Sequence, residues 1–158
     1  MSVLLVAAAL GAPVVPAQQP KLLEAERAFA FSARALDAAT VEARFAVADG
    51  YYLYRDKLKF SAMPGSLARA SDLPPGVVKR DEFFGEVATY RGEVVVRLPL
   101  AAAAPGTTVT IVAESQGCAD AGVCYPPQIQ KIALALPATG AGPGPVVEAS
   151  PARKGWFK

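Results

Sequence analysis

The chain has 158 residues, 53% of them hydrophobic, and a net charge of +2 from 16 basic and 14 acidic side chains, with no histidine. That suits one domain of ordinary size with an apolar core and excludes disorder over the whole length. The interspersed charges form no basic stripe and argue against nucleic acid, while the missing imidazole excludes Ser-His-Asp triads, Cys-His pairs and histidine metal sites.

Residues 3–10 are apolar and lead to Val15-Pro16-Ala17, which reads as a signal peptide over residues 1–17, although no Lys or Arg precedes it. Gly11 and Pro13 interrupt the run well short of the roughly 20 residues that span a bilayer. Export implies an oxidising compartment, where disulfides persist. The domain itself is expected over residues 20–137.

Residues 20–27 allow a helical turn or two. From Phe29 the apolar period becomes two: Phe29, Phe31, Ala33 and Ala35, then Ala43, Phe45 and Val47, before an Asp49-Gly50 turn. Residues 51–54 restart an extended run, and Leu58 and Phe60 alternate with Lys57 and Lys59. Pro64-Gly65, Pro74-Pro75-Gly76 and Pro105-Gly106 punctuate loops, with strand-like runs at 94–98, 109–113 and 129–136. About seven short strands and almost no helix predict an all-β fold, an immunoglobulin-like antiparallel β-sandwich. From Ala138 the composition turns to Gly and Pro, so residues 138–158 read as a flexible tail. Its end, Arg153-Lys154-Gly155-Trp156-Phe157-Lys158, leaves open a disordered terminus or the approach to a following membrane segment.

The two cysteines, Cys118 and Cys124, lie between the strand ending near Ser115 and the one beginning near Gln128, facing each other across a hairpin mouth. Gly117 and Gly122 permit left-handed backbone angles, and Pro126-Pro127 stiffens the exit. Two thiols are too few for a closed zinc site, and neither metal nor cofactor is expected. A bridge would close a loop of about 7 residues, worth about 2–2.5 kcal/mol, a modest staple. On the residues alone, a structural bridge and an exchange-active pair both stay open.

The segment Gln116-Gly117-Cys118-Ala119-Asp120-Ala121-Gly122-Val123-Cys124-Tyr125-Pro126-Pro127 resembles the active-site signature of the N-terminal periplasmic domain of the DsbD family, the bacterial thiol:disulfide interchange proteins. Asp49-Gly50-Tyr51-Tyr52-Leu53-Tyr54-Arg55 resembles the family's first aromatic motif, and Asp81-Glu82-Phe83-Phe84-Gly85 with Tyr90-Arg91 resembles its cap loop. The likeness runs over residues 26–137. It implies a periplasmic protein-disulfide reductase module, exported or forming the periplasmic part of an inner-membrane protein. Such a module takes two electrons from a thioredoxin-like donor domain and passes them to oxidised periplasmic thiol proteins, disulfide isomerases and cytochrome c maturation factors among them. Carried onto this chain, Cys124 would form the mixed disulfide with a partner, Cys118 would resolve it, and Phe83 would cap the sulfurs. Asp81, Glu82, Tyr52, Tyr54, Asp120 and Tyr125 would surround the site, and the family's common Tyr is replaced by Phe84. The acidic residues among them are expected to disfavour the thiolates and keep the pair sluggish until a partner displaces the cap. The competing reading is a non-enzymatic immunoglobulin-like binding module whose bridge ties a hairpin. A cap-regulated peptide-binding domain is a weaker third.

Overall fold

The computed structural model describes residues 21–69 and 71–150. The expected signal stretch, residues 1–17, and the basic aromatic end, residues 153–158, lie outside the described residues. A four-residue helix, α1 (Ala25–Ala28), leads into β1 (Phe29–Ala35), β2 (Thr40–Val47) and β3 (Tyr51–Tyr54). A 3-10 turn at Arg55–Lys57 is followed by β4 (Lys59–Met63), β5 (Ser66–Leu67), β6 (Val77–Asp81), β7 (Gly85–Tyr90) and β8 (Gly92–Ala101). Next come β9 (Thr108–Ser115), β10 (Gly117–Ala119), β11 (Val123–Cys124), β12 (Gln128–Ala135) and β13 (Val147–Glu148).

One five-stranded antiparallel sheet runs β13-β1-β2-β8-β5, a second runs β11-β10-β3-β7-β6, and a three-stranded sheet runs β12-β9-β4. Alternation decides which faces meet. Phe29, Phe31, Ala33 and Ala35 of β1, Val41, Ala43, Phe45 and Val47 of β2, and Val94, Val96 and Leu98 of β8 are all buried. They close on Val109, Ile111 and Ala113 of β9 and on Ile132 and Leu134 of β12 to form the main core. Phe31 stacks on Phe45 at 5.0 Å, with Phe60 of β4 reaching in from the facing layer. The result is the immunoglobulin-like antiparallel sandwich that the pattern implied. The β6–β7 hairpin escapes a pattern reading because adjacent Val77 and Val78 are both exposed, so β6 lacks alternation.

The second sheet grows out of the third. Chains β3–β4 and β9–β10 pair along both, from Met63↔Thr110 to Lys59↔Glu114 and then from Leu53↔Gly117 to Tyr51↔Ala119. Between the two ladders, residues 54–58 on one chain face only residues 115–116 on the other. The surplus is taken up by the 3-10 turn, and such an excess bends and twists the pair, as a bulge does. Beyond it β10 and β11 continue beside β3, with Leu53 and Ala119 in the main core and Cys118 in a separate small cluster.

The tail departs from expectation. Residues 138–158 read as flexible, yet β13 pairs with the outer edge of β1 in the register Ala33↔Val147 and Ser32↔Glu148. Gly144 N–H donates to Ala35 O at 2.8 Å, and Ala149 N–H to Phe31 O at 2.9 Å. Val147 and Ala149 pack against the main core. The physical reason is the open edge of β1, whose unpaired backbone groups accept any extended segment with apolar residues two apart. The domain therefore extends to Ala149, beyond the expected boundary at residue 137. Ending the chain after Gly142 is expected to cost about 1–3 kcal/mol, from lost edge hydrogen bonds and partial apolar burial. Urea unfolding checks this, and an unchanged midpoint would show that β13 adds nothing.

Candidate active site

Gly122, at φ 85°, turns the chain between β10 and β11, and its N–H donates to Ala119 O at 3.0 Å. That hairpin sets Cys118 directly opposite Cys124, with Cα atoms 3.9 Å apart and the sulfurs bonded. The two sulfurs differ in access. Cys118 is 0% exposed, whereas Cys124 is half-buried at the rim. Of the two glycines that permit left-handed angles, Gly122 takes one and Gly117 does not. Gly117 is small because a Cβ there would run into the Tyr52 carbonyl oxygen and come within 2.7 Å of the Phe29 ring.

Tyr52 and Tyr54 of β3 stand edge to face, 5.6 Å apart, and with Cys118 form a small buried cluster separate from the main core. Both hydroxyls donate to Asp81 Oδ2, at 2.9 and 2.8 Å. Asp81 Oδ1 accepts the N–H groups of Phe83 and Phe84, at 2.9 and 3.2 Å. Burial alone would push the Asp81 carboxyl up. The N–H of Phe83, the hydroxyls of Tyr54 and Tyr52 and the N–H of Phe84 outweigh it and hold the group below the usual carboxylate range. Burial and the bonded Asp81 in turn push the Tyr54 phenol far above its ordinary value. Tyr54 Oη lies 3.1 Å from Cys118 Sγ and 3.9 Å from Cys124 Sγ. A chain of polar atoms thus runs from the sulfurs through one hydroxyl to a carboxylate.

Phe83 and Glu82 sit in the turn between β6 and β7 and share a cleft of about 180 Å³ with Cys124, Tyr52 and Asp120. Phe83 is 65% exposed. Phe84 points to the other side, where its ring meets Tyr54 edge-on at 5.1 Å. Asp120 forms a two-point ion pair with Arg91, at 2.6 and 3.0 Å, which holds its carboxyl below the ordinary range. The acidic surroundings expected of the site are therefore largely balanced. Asp81 is saturated by donors, and Lys79 and Arg91 both lie over the Tyr52 ring, at 3.7 and 5.2 Å from its centroid. Reading the sequence missed Lys79, took Lys57 only as part of a strand alternation, and carried Arg91 only as part of a motif. Their placement comes from pairing across β3, β6, β7 and β10, to which local pattern is blind.

Tyr125 does not join the sulfurs. Its ring packs on Phe29 at 5.5 Å and near Tyr51, and its hydroxyl donates to Leu23 O at 2.6 Å. Burial, with Tyr51 beside it, pushes the phenol up to about 12. Its part is to tie the segment before α1 to the proline turn. Among the described residues no group of three or more His, Cys, Asp or Glu could hold a metal, and no helix is long and apolar enough to cross a membrane.

Residues 19–136 match the family model described as thiol:disulfide interchange protein DsbD, N-terminal. The chain is 46% identical over 127 residues to the DsbD protein of Ralstonia nicotianae, covering 77% of this chain and 21% of that one. To the Escherichia coli protein it is 35% identical over 127 residues, covering 80% and 22%. The chain thus spans about a fifth of the length of these curated relatives. Among solved structures, the reduced N-terminal domain of DsbD from Neisseria meningitidis superposes with a TM-score of 0.69 at 33% identity, over 82% of this chain and 96% of that one. A complex between the DsbD N-terminal and PilB N-terminal domains from the same organism matches at a TM-score of 0.61 and 38% identity, covering 71% and 86%.

Two substitutions check the geometry. Gly117→Ala should cost about 1–3 kcal/mol in urea unfolding, because the methyl group must displace backbone or the Phe29 ring. Asp81→Asn should cost about 1.5–3 kcal/mol at pH 7, since an amide cannot accept all four bonds. The folded Asp81 carboxyl titrates below its unfolded value of about 3.9, so its contribution is complete above that pH and fades as pH falls through the folded value. The gap between wild type and Asp81→Asn should therefore close below about pH 4. A gap independent of pH would show that the carboxylate charge is not what the tyrosines bind.

Proposed function

We propose, from the premise that this chain belongs to the family of N-terminal domains of the thiol:disulfide interchange protein DsbD, that it relays electron pairs in the periplasm by exchange at the Cys118–Cys124 bridge. In the oxidised form, a donor thiolate attacks Cys124 Sγ, the sulfur at the rim, and the Cys118–Cys124 bond breaks. Cys118 departs as thiolate beside Tyr54 Oη. The donor's second thiol gives its proton to Cys118 and attacks the donor sulfur of the mixed disulfide, so that Cys124 leaves as thiolate, the donor is oxidised and this domain is reduced. In the outward half, the Cys124 thiolate attacks an acceptor disulfide and expels one acceptor sulfur. Cys118 then attacks Cys124 Sγ, restores the bridge and releases the second acceptor thiolate. Two electrons leave with the acceptor.

The observation that carries this reading is the unequal exposure of the two bonded sulfurs. Cys118 is sealed at 0% exposure while Cys124 reaches the cleft, so one sulfur meets partners and the other resolves. Tyr54 supports the asymmetry, its oxygen lying nearer to Cys118 than to Cys124 and its proton committed to Asp81. Phe83, on the exposed turn beside Cys124, is the side chain an arriving partner displaces. The donor is a thioredoxin-like domain and the acceptors are oxidised periplasmic thiol proteins. The Neisseria complex supports docking of a second protein domain on this fold.

The test is trapping with thioredoxin lacking its resolving cysteine, its remaining thiol activated as an aryl disulfide so that released aryl thiolate counts the product. Cys118→Ala should accumulate a mixed disulfide, and Cys124→Ala should give none. If neither variant traps the partner and the wild-type bridge resists reduced thioredoxin, the bridge is a staple and the relay is wrong.

A further inference from the structure

We propose that Tyr125, tied to Tyr51 through the backbone of Leu23, is a positioning residue that keeps Cys124 within reach of Cys118 while the bridge is open, and so sets how strongly the two thiols favour closing. The use of this positioning rests on the proposed relay, in which Cys118 must find Cys124 to release a partner.

The two strands of the cysteine hairpin are held unequally. β10 lies between β3 and β11, so Cys118 faces Tyr52 across one ladder and Cys124 across the other. β11 is an edge strand of two residues, and β10 is its neighbour in the sheet. Pro126 and Pro127 follow at once and have no N–H to extend the pairing. When the bridge opens, the sheet keeps Cys118 in place, whereas Cys124 depends on what grips Tyr125.

The Tyr125 N–H donates to Gly117 O at 2.9 Å, and its carbonyl accepts Gln116 Nε2 at 3.3 Å, so its backbone is tied to residues just before Cys118. Its ring stands edge-on to the fully buried Phe29, at 88°. Its hydroxyl donates to Leu23 O at 2.6 Å, and the Leu23 N–H donates in turn to Tyr51 Oη at 2.8 Å. Leu23 is therefore a link in series between two phenols. α1 begins two residues later, and Ala28 O at its end accepts the Ala48 N–H at 2.9 Å, which fastens the link to the sandwich. Tyr51 lies opposite Ala119, the residue after Cys118. The clasp thus joins the two cysteine strands by way of the segment before α1.

With the bridge formed, a covalent bond already restrains Cys124 and the clasp adds little. With it open, the clasp carries much of that restraint, and losing it lowers the effective concentration of one thiol at the other. Fixing one residue's backbone shifts an equilibrium about 5- to 30-fold, and one hydrogen bond shifts it about 2- to 12-fold.

The experiment is equilibration with glutathione buffers of graded ratio, quenched by alkylation and read by mass. The dithiol and one oxidised glutathione give the bridge and two reduced glutathiones, so atoms and electrons balance. Tyr125→Ala should lower the equilibrium constant for bridge formation about 5- to 30-fold. Tyr125→Phe and Tyr51→Phe keep the rings and cut one link each, and each should lower it about 2- to 12-fold. Because the links act in series, the Tyr51→Phe/Tyr125→Phe double variant should fall no further than the lower of the two single variants. A merely structural role would cost both redox forms the same stability in urea and leave the glutathione equilibrium unmoved. The proposal is overturned if Tyr125→Phe and Tyr51→Phe equilibrate as the wild type does, or if their effects multiply in the double variant. Should Tyr125→Ala fail to fold, the two phenylalanine variants decide alone. Glutathione needs no protein partner, so a failed trapping experiment would remove the relay and leave this readout standing.

Discussion

Four hydrogen bonds converge on the carboxylate of Asp81, and the site exists because of them. Only an ionised carboxylate has the lone pairs to accept two phenols and two backbone N–H groups at once. Those donors belong to different places: β3 supplies the tyrosines, and the turn after β6 supplies the amides. Without the charge, two buried hydroxyls would lose their acceptor and the turn would lose its Asx-type brace, each a cost of about 1–3 kcal/mol. The same anion fixes the Tyr54 proton away from the sulfurs. A structural constraint and a chemical one are therefore met by one side chain.

The sandwich supplies what this cluster cannot. Its core packs the rings of Phe29, Phe31, Phe45, Tyr51 and Tyr90 with a run of Val, Ile, Leu and Ala, and the cysteines take no part in it. A bridge across so short a loop contributes about 2–2.5 kcal/mol. The domain can therefore lose and remake that bridge without unfolding, which exchange chemistry requires and a staple does not. Gly117, pressed against the Tyr52 carbonyl and the Phe29 ring, lets β10 lie close along β3 and so sets Cys118 beside Tyr52.

What was legible in the sequence was whatever alternates. Phe29 to Ala35, Ala43 to Val47 and Ile132 to Leu136 announce their buried faces, and the glycines and prolines around Cys118 and Cys124 announce a hairpin mouth. The motif likeness added Asp81, Tyr52 and Tyr54 as neighbours of the sulfurs. It could not say that Tyr54 touches a residue 64 positions away, because that contact depends on the register of β3 against β10. The role of Gly117 was not legible for a related reason: a glycine needed for close approach looks the same as one needed for a positive φ. β13 stayed hidden because Gly and Pro around it dominate composition, while its pairing is decided by the vacant edge of β1. Nothing in the local pattern marks Lys57, Lys79 or Arg91 as ring partners, and only folding puts them over rings.

The charges around the cleft argue for control by shape rather than by long-range attraction. Arg91 and Asp120 are each about half exposed, at 50% and 48%, and a pair so placed is worth no more than about 1 kcal/mol. Its effect is local: it removes a carboxylate's field from the rim where Cys124 emerges. Lys79, over the Tyr52 ring, adds a second positive charge near Asp120, and the net charge of the whole chain is only +2. A partner in the proposed relay thus meets a nearly balanced surface with one exposed ring, Phe83, standing beside the half-buried sulfur. Selection then falls to whether the partner can take that ring's place, a contact made only after docking.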